Sequence, residues 1–443
     1  TASAWKMYSR ANNVDPALAN EISKGLQRYE AALKYAKEEY GDEDMEEDTD
    51  YGVSLENYVP QEYLPMVVES RSYMGVIDNY SPHPCAHIVV NDDIRRKIGV
   101  IRLKGSKNDG EVAAIIDGAT AERYGYLKVD FLLVDVVKII KNAFDSIGLP
   151  VPSENELLAM TNGDTKTWEM YAKGYTMGLN QVEREATTER VMKYKPQNAV
   201  ELAAFVAAVR PGFKSMLETF ISRKPFQYNI PALDNLLSTE EIPDSFLIYQ
   251  EQVMKVLQAA GISASESYNC IKAISKKNPD KIASYKSAFM EGFTHYIMDK
   301  DGLSEHESRE ASEVVWGIVE DNASYSFNIS HAYCVGLDSL YCAWLKAHHP
   351  YELYMVLLRN YAERGDKDRI ALLKNEMFSA YGIRMVPPRF RTDNRDFESN
   401  KEEGLIRDAL SSTKYIGKAT AEALYTLRDG QFDTFVDLLA TLN

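Results

Sequence analysis

Lys128 and Asp130 stand two residues apart in Gly125-Tyr126-Leu127-Lys128-Val129-Asp130-Phe131-Leu132, an apolar octet that opens on a turn glycine. Its shortness and its aromatic and branched residues predict a buried strand. Alternation along that strand puts the lysine and the aspartate on one face. A buried carboxylate is costly unless it is paired, hydrogen-bonded or bound to metal. Asp130 is therefore either the ion-pair partner of Lys128 or a metal ligand at a catalytic cleft, and the octet alone leaves both readings open.

Other residues carry weaker chemistry. In the run 81–90, SPHPCAHIVV, alternation sets His83, Cys85 and His87 on one face with the donor types of a zinc site. The prolines and the lack of a fourth ligand point instead to a packed or substrate-facing strand start. The acidic run 42–50, DEDMEEDTD, repels itself and reads as a solvated loop rather than a metal-binding pair. Basic residues gather as Arg210, Lys214, Arg223 and Lys224, and again as Lys272, Lys276, Lys277, Lys281 and Lys286. The spacing of Lys272, Lys276 and Lys277 lines them along one helix face, a phosphate track or a merely solvated surface. Four polar clusters break amphipathic patterns without serving a core: Gly178 to Arg184, Val209 to Gly212, Tyr249 to Met254 and Phe327 to Ala332.

The elements that must hold these residues are mostly helical. Residues 15–38 have helical spacing and read as two helices. Residues 96–131 read as short strands and turns punctuated by glycines, the only β-rich region, ending on the Asp130 strand. From Val134 to about residue 380 the pattern is helical, with prolines at the breaks. After Pro387-Pro388 the segment from Leu405 to Leu427 reads as helix, tight turn at Ile416-Gly417, helix. A chain of 443 residues has material for roughly three domains at about 150 residues each.

Hydrophobic and charged contents of 45% and 26% are ordinary for a globular protein, and no apolar run is long enough to span a bilayer, so a soluble chain is expected. Four cysteines without a Cys-x-x-Cys pair fit a reducing cytoplasm better than a zinc ribbon or disulfide framework. The net charge of −16 argues against a generally basic nucleic-acid coat, although a local basic groove can still bind phosphates, so global charge does not decide the matter. No signal peptide opens the sequence, and its start on Thr1 suggests a fragment or processed chain.

Taken in order, these clusters resemble the C-family replicative DNA polymerases, the bacterial DNA polymerase III alpha subunits, over nearly the whole chain. The pattern K-F-D-F-L-G-L around the family's third catalytic aspartate is met by Lys128 to Leu132, with Leu133 in place of glycine. H-A-A-G-V-V-I is met loosely by His83 to Val89, G-V-F-Q-x-E-S by Gly178 to Arg184, and R-P-G-P by Arg210 to Phe213. Y-Q-E-Q-V-M is matched in full by Tyr249 to Met254. R-R-A-M-G-K-K is reduced to Ile271 to Lys277, and G-F-N-K-S-H-A is met by Ser326 to Ala332 with Ile329 for lysine. The run Tyr341 to Pro350 is similar to Y-x-x-Y-L-K-A-H-Y-P.

The resemblance implies an α+β, mostly α fold: a thumb at 1–75, the second part of a nucleotidyltransferase-like palm at 76–136, large helical fingers at 137–390, and the start of a helix-hairpin-helix or clamp-binding region at 391–443. It implies template-directed DNA synthesis from dNTPs, with two Mg2+ ions supporting phosphoryl transfer. Asp130 would be the metal ligand and Lys128 would balance phosphate charge beside it. Arg210, Tyr249, Gln250, Gln252, Lys272, Lys276, Lys277, Asn328, Ser330 and His331 would surround the nucleotide. His83, Gln181, Arg184, Lys214, Lys414 and Gly417 would meet DNA. Two further aspartates belong to a P-D-x-D-x-D segment that this chain does not contain, so part of the active site is expected from a missing N-terminal portion, in cis or as a separate subunit. Primer-template DNA and a sliding clamp are the other partners implied, without a membrane; the acidic loop and net charge point to a phage-like or plasmid-like branch, in the cytoplasm at the nucleoid or in a phage's host. The alternative is a non-catalytic DNA-binding or replisome-scaffold protein on the same fold, to which Ile271 and Ile329 lend support.

Overall fold

A computed structural model describes residues 2–40, 53–76, 83, 85–103, 110–131, 134–209, 213–240, 242–275, 278–323, 327–389, 391–393, 395–413 and 416–441. The acidic run 42–50 and the residues Arg210, Lys276, Lys277 and Lys414 lie outside them, as does the side chain of Lys214. The architecture is α+β and mostly α, and it divides into two units, 1–133 and 134–443.

The first unit begins with α1 (Ala2–Ala11), α2 (Pro16–Tyr40) and α3 (Leu64–Ser70), which enclose a small core of Trp5, Tyr8, Ile22, Leu26, Val59 and Val67. The two helices expected over 15–38 are one. Gly25 interrupts the pattern without ending the helix, because a side chain there would meet the Tyr58 carbonyl oxygen at 2.2 Å. Glycine is thus required for close approach rather than for a break.

The rest of this unit is thin. β1 (Ala86–Val89), α4 (Ile94–Lys97), β2 (Val100–Arg102), β3 (Val112–Ala114), α5 (Gly118–Arg123) and β4 (Leu127–Asp130) form two separate antiparallel ribbons, β1 with β4 and β2 with β3. Among the described residues of this stretch only Leu103 and Ala121 are buried hydrophobics. β4 is therefore not the buried strand expected. Leu127 and Phe131 are 62% and 63% exposed, since a two-stranded ribbon covers little of either face.

The second unit has two cores. The larger one gathers α6 (Asp135–Ser146), α7 (Glu154–Thr161), α8 (Thr165–Ala172), α9 (Glu185–Tyr194), α10 (Ala199–Ala208) and α11 (Lys214–Ile221) with three later helices; the smaller one is built from α12 (Pro231–Leu237), α13 (Gln250–Ala259), α14 (Ala264–Ser275), α15 (Pro279–Asp301) and α16 (Glu305–Ala323). α17 (Ile329–His348), α18 (Pro350–Arg364) and α19 (Lys367–Tyr381) complete the larger core. α10, AVELAAFVAA, starts at Asn198, whose side-chain oxygen accepts from Glu201 N at 2.9 Å, and it is buried nearly all round. Its small side chains let α17 lie close, with Gly336 facing Ala203.

A second β region follows, contrary to expectation. β5 (Arg384–Val386), β6 (Glu398–Asn400) and β7 (Leu405–Arg407) form a sheet in the order β5-β7-β6, with β5 parallel and β6 antiparallel to β7. The helix expected from Leu405 is therefore a strand. Leu405 and Ile406 are buried in the sheet, and this long-range pairing overrides a weak local helical pattern. α20 (Lys418–Thr426), which starts at Gly417, and α21 (Phe435–Ala440) end the chain.

Candidate functional site

In the first unit, the register Ala86↔Asp130 and Ile88↔Lys128 places Lys128 and Asp130 side by side on one face of the ribbon. Lys128 Nζ lies 3.1 Å from the Asp130 carboxylate, with side chains 28% and 37% exposed. The pair is real but wet, so it costs little to hold and contributes little to stability. Asp130 keeps accessible oxygens of the hard type that Mg2+ prefers, which suits one ligand of a larger set. Among the described residues no three His, Cys, Asp or Glu side chains gather in a metal-binding group. His83 folds back on its own turn, its Nδ1 accepting from Cys85 N at 3.2 Å and Ala86 N at 3.0 Å. His87 instead meets Phe131 edge-on, with ring centroids 5.3 Å apart.

In the second unit the structure unites two clusters that are far apart in sequence. A parallel bridge joins Tyr249 to Phe327, and Gln250 N donates to Phe327 O at 3.0 Å. The N-termini of α13 and α17 thereby start from one joint. Glu251 secures it: one carboxylate oxygen accepts from Asn328 Nδ2 at 2.6 Å and the other from Ile329 N at 2.9 Å. Asn328 caps α17 by accepting from His331 N at 2.9 Å. Ser330 and His331 are exposed on the first turn, the latter against the Phe327 ring.

Two residues of this joint are committed to the fold. The Gln252 amide accepts from Ile248 N and Tyr249 N at 2.8 and 2.9 Å and donates to Phe246 O at 3.1 Å and Leu237 O at 3.4 Å, which uses up its capacity on backbone. Tyr249 is buried, and burial together with nearby Glu251 pushes its phenol up. Gln252 thus has no amide group left for a ligand. Gln250, Asn328, Ser330 and His331 remain at or near the surface.

The Gly178–Arg184 cluster is a loop between α8 and α9. Gly178 has φ +77° and faces Leu357 so closely that any side chain would collide, and Gln181 has φ +59°. Glu183 accepts from Gly178 N at 3.1 Å and pairs with Arg369 at 2.9 Å. Beneath the loop lies a group that composition and spacing did not bring out: Lys346, fully buried, donates to Tyr175 O at 2.9 Å, Met177 O at 2.5 Å and Glu376 at 2.6 Å. Glu376 also accepts from Met177 N at 2.9 Å and Tyr354 OH at 3.1 Å. The visible signal was a lone cation inside Trp344-Leu345-Lys346-Ala347. Asp338, bonded to Asn180, has its carboxyl raised by burial against that hydrogen bond.

The basic clusters divide. Lys272 is exposed on α14 with its ammonium 4.5 Å from the Tyr268 ring, while Ile271 turns into the smaller core. Lys286 pairs with Glu313 at 2.5 Å. Arg223 is spent internally, donating to Tyr194 O at 2.7 Å and Lys195 O at 2.9 Å and pairing with Glu201. Gly417 caps α20 with open space around it.

Residues 136–296 match the family model of the bacterial DNA polymerase III alpha subunit finger domain. Over 327 residues the chain is 31% identical to DNA polymerase III subunit alpha of Aquifex aeolicus, covering 72% of this chain and 27% of that protein. The chain is an alpha-like, C-family polymerase relative. Against the alpha subunits of Campylobacter jejuni and Thermus aquaticus it is 27% and 28% identical, covering 84% and 83% of this chain and 31% and 29% of theirs. It therefore spans under a third of the length of these curated relatives. The finger-domain match takes in the Gly178 loop, Gln252 and Lys272 but ends before Asn328, so the Tyr249–Phe327 bridge ties matched sequence to a cluster outside the match. Among the described residues no helix is long and apolar enough to cross a membrane.

Proposed function

We propose that this chain serves template-directed DNA synthesis, its first unit supplying thumb and part of a palm and its second supplying fingers and the start of a helix-hairpin-helix or clamp-binding region. The observation that carries the reading is the exposed Lys128–Asp130 pair on one strand face, set in a chain related to polymerase alpha subunits. Asp130 holds one of two Mg2+ ions with water and carboxylates contributed by polypeptide beyond this chain, in cis or from a partner subunit. Bound there, the ions would offset phosphate charge and lower the pKa of the primer 3′-hydroxyl. Lys128 balances phosphate charge beside Asp130. In the second unit Lys272, Ser330 and His331 present a cation and donors for a triphosphate, while Glu251 and Gln252 hold the backbone that carries them. Arg210, Lys276 and Lys277 extend that set, and His83, Gln181, Arg184, Lys214, Lys414 and Gly417 contact primer-template DNA. Such roles are positional and electrostatic rather than covalent.

The test is primer extension with Mg2+ by a longer chain that includes an Asp-x-Asp segment, wild type against Asp130→Asn. Loss of extension in the variant with duplex affinity kept supports the polymerase. Equal extension by both would remove Asp130 from the chemistry. A second reading, a non-catalytic DNA-binding or scaffold protein, draws on Ile271, an apolar core residue where the family pattern has arginine, and on Ile329 where it has lysine. Duplex binding with no extension by the longer wild-type chain would favour it.

A further inference from the structure

The Lys346–Glu376 pair is dry, with side chains 0% and 7% exposed, and packing does not call for it. Well-packed apolar side chains of similar volume often replace a buried ion pair at no loss of stability. They cannot, however, hold an irregular backbone by directional bonds. Lys346 binds the carbonyls of Tyr175 and Met177, and Glu376 takes the Met177 amide, so three backbone groups just before the turn are fixed from below. The chain then enters two left-handed residues, Gly178 and Gln181, the second of which is strained for a residue with a side chain. Asn180, Gln181 and Arg184 follow, and the last two are exposed at the tip. The acid beside them, Glu183, is already neutralised by Arg369 and the Gly178 amide. Arg184 makes no ion pair among the described residues, so its charge is available in a chain of net charge −16.

A strained, polar, cationic tip on a base fixed by buried charges is the arrangement expected of a recognition loop whose shape must not drift. We propose that Lys346 and Glu376 are positioning residues that hold the Gln181–Arg184 tip in shape to engage the phosphodiester backbone of a nucleic-acid duplex. The proposal rests on the DNA-binding reading above and adds to it the groups that set the loop. Neither residue touches the nucleic acid; both act through the backbone of Tyr175–Gly178.

The experiment measures affinity for a primer-template duplex by fluorescence anisotropy at several salt concentrations, beside thermal melts. It compares wild type, Arg184→Ala, the apolar double variant Lys346→Met with Glu376→Leu, and the three changes combined. Arg184→Ala should weaken binding roughly tenfold and lower the salt slope by about one. The double variant should melt below wild type, because it leaves the Tyr175 and Met177 backbone groups and the Tyr354 hydroxyl without partners, yet stay folded at the assay temperature and lose a similar factor; adding Arg184→Ala to it should cost little more, since both changes remove one contact. Unchanged affinity in the folded double variant overturns the proposal, as does full additivity. Should the double variant fail to fold, Glu376→Gln keeps the shape but turns an amide donor toward either the Met177 N–H or the Lys346 ammonium, so it should loosen the loop and weaken binding; unchanged affinity there overturns the proposal equally. A wild-type chain that binds no duplex defeats the DNA-binding reading and this proposal with it. Binding that Lys272→Ala weakens but Arg184→Ala does not overturns this proposal alone.

Discussion

Two lysine–carboxylate pairs, one in each unit, have the same chemistry and opposite settings. Lys128–Asp130 lies 3.1 Å apart on a ribbon with little core beneath it, and both side chains are about a third exposed. Lys346–Glu376 lies 2.6 Å apart in a core from which water is excluded. Solvent screens the first, so either partner can be exchanged for another charge, such as a metal or a phosphate, at low cost. The second cannot lose a partner without stranding the other. An exposed pair is suited to exchange ligands and a buried one to fix backbone; the contrast separates a chemical role from a positional one where residue types alone would treat both pairs alike.

The sharpest break in that contrast is Lys346→Ala. It leaves Glu376 in the core without its cation and should destabilise the second unit by about 3–5 kcal/mol, read by denaturant unfolding. A loss below about 1 kcal/mol, the range of exposed pairs, would mean that water reaches the site and that the two pairs are alike. Next comes Gly25→Ala in the first unit, where the new methyl would meet the Tyr58 carbonyl; a loss of about 1–3 kcal/mol in its melting is expected. Asn328→Ala removes the α17 cap and one bond from Glu251, for about 1 kcal/mol. Asp130→Asn should change stability by no more than about 0.5 kcal/mol while abolishing Mg2+-dependent extension in the longer chain, which sets its chemical role apart from its minor structural one. The smallest effect is at Asp338. Its carboxyl is raised in the fold, so the folded state disfavours its charge and stability is lost as pH rises through the unfolded value near 3.9. Asp338→Asn should therefore melt slightly above wild type at neutral pH, with the gap closing in acid; a gap that is constant with pH would rule out this cause.

Much of the fold was legible. The helices from α6 to α19 follow the apolar periodicity and proline breaks, because long helices repeat their signal over many turns. The sheet β5–β7 leaves no such signal, since three-residue strands hold too few residues to show a period and β5 pairs with a strand about twenty residues onward. The composition of β4 predicts burial, yet burial depends on what lies across the ribbon. At the site, the Lys128–Asp130 pair could be read from spacing. His83 and Gln252 could not be placed, because the side chains that bind phosphate also bind backbone, and only coordinates tell which they face. Glu251 joins the two clusters, a role that nothing in Tyr249-Gln250-Glu251-Gln252 signals, because its partners Asn328 and Ile329 lie more than seventy residues away.

α17 has 20 residues, a rod of roughly 30 Å. Its first turn is fastened by Glu251 beside Ser330 and His331, and near its far end Lys346 grips the Met177 loop, while buried side chains lie against α10 between them. A helix packed along its length is stiff, so one element fixes the spacing between the first turn and the Lys346 ammonium that holds the loop. The groups proposed to meet nucleotide and duplex thus hang from one ruler, whose length sets the distance between them.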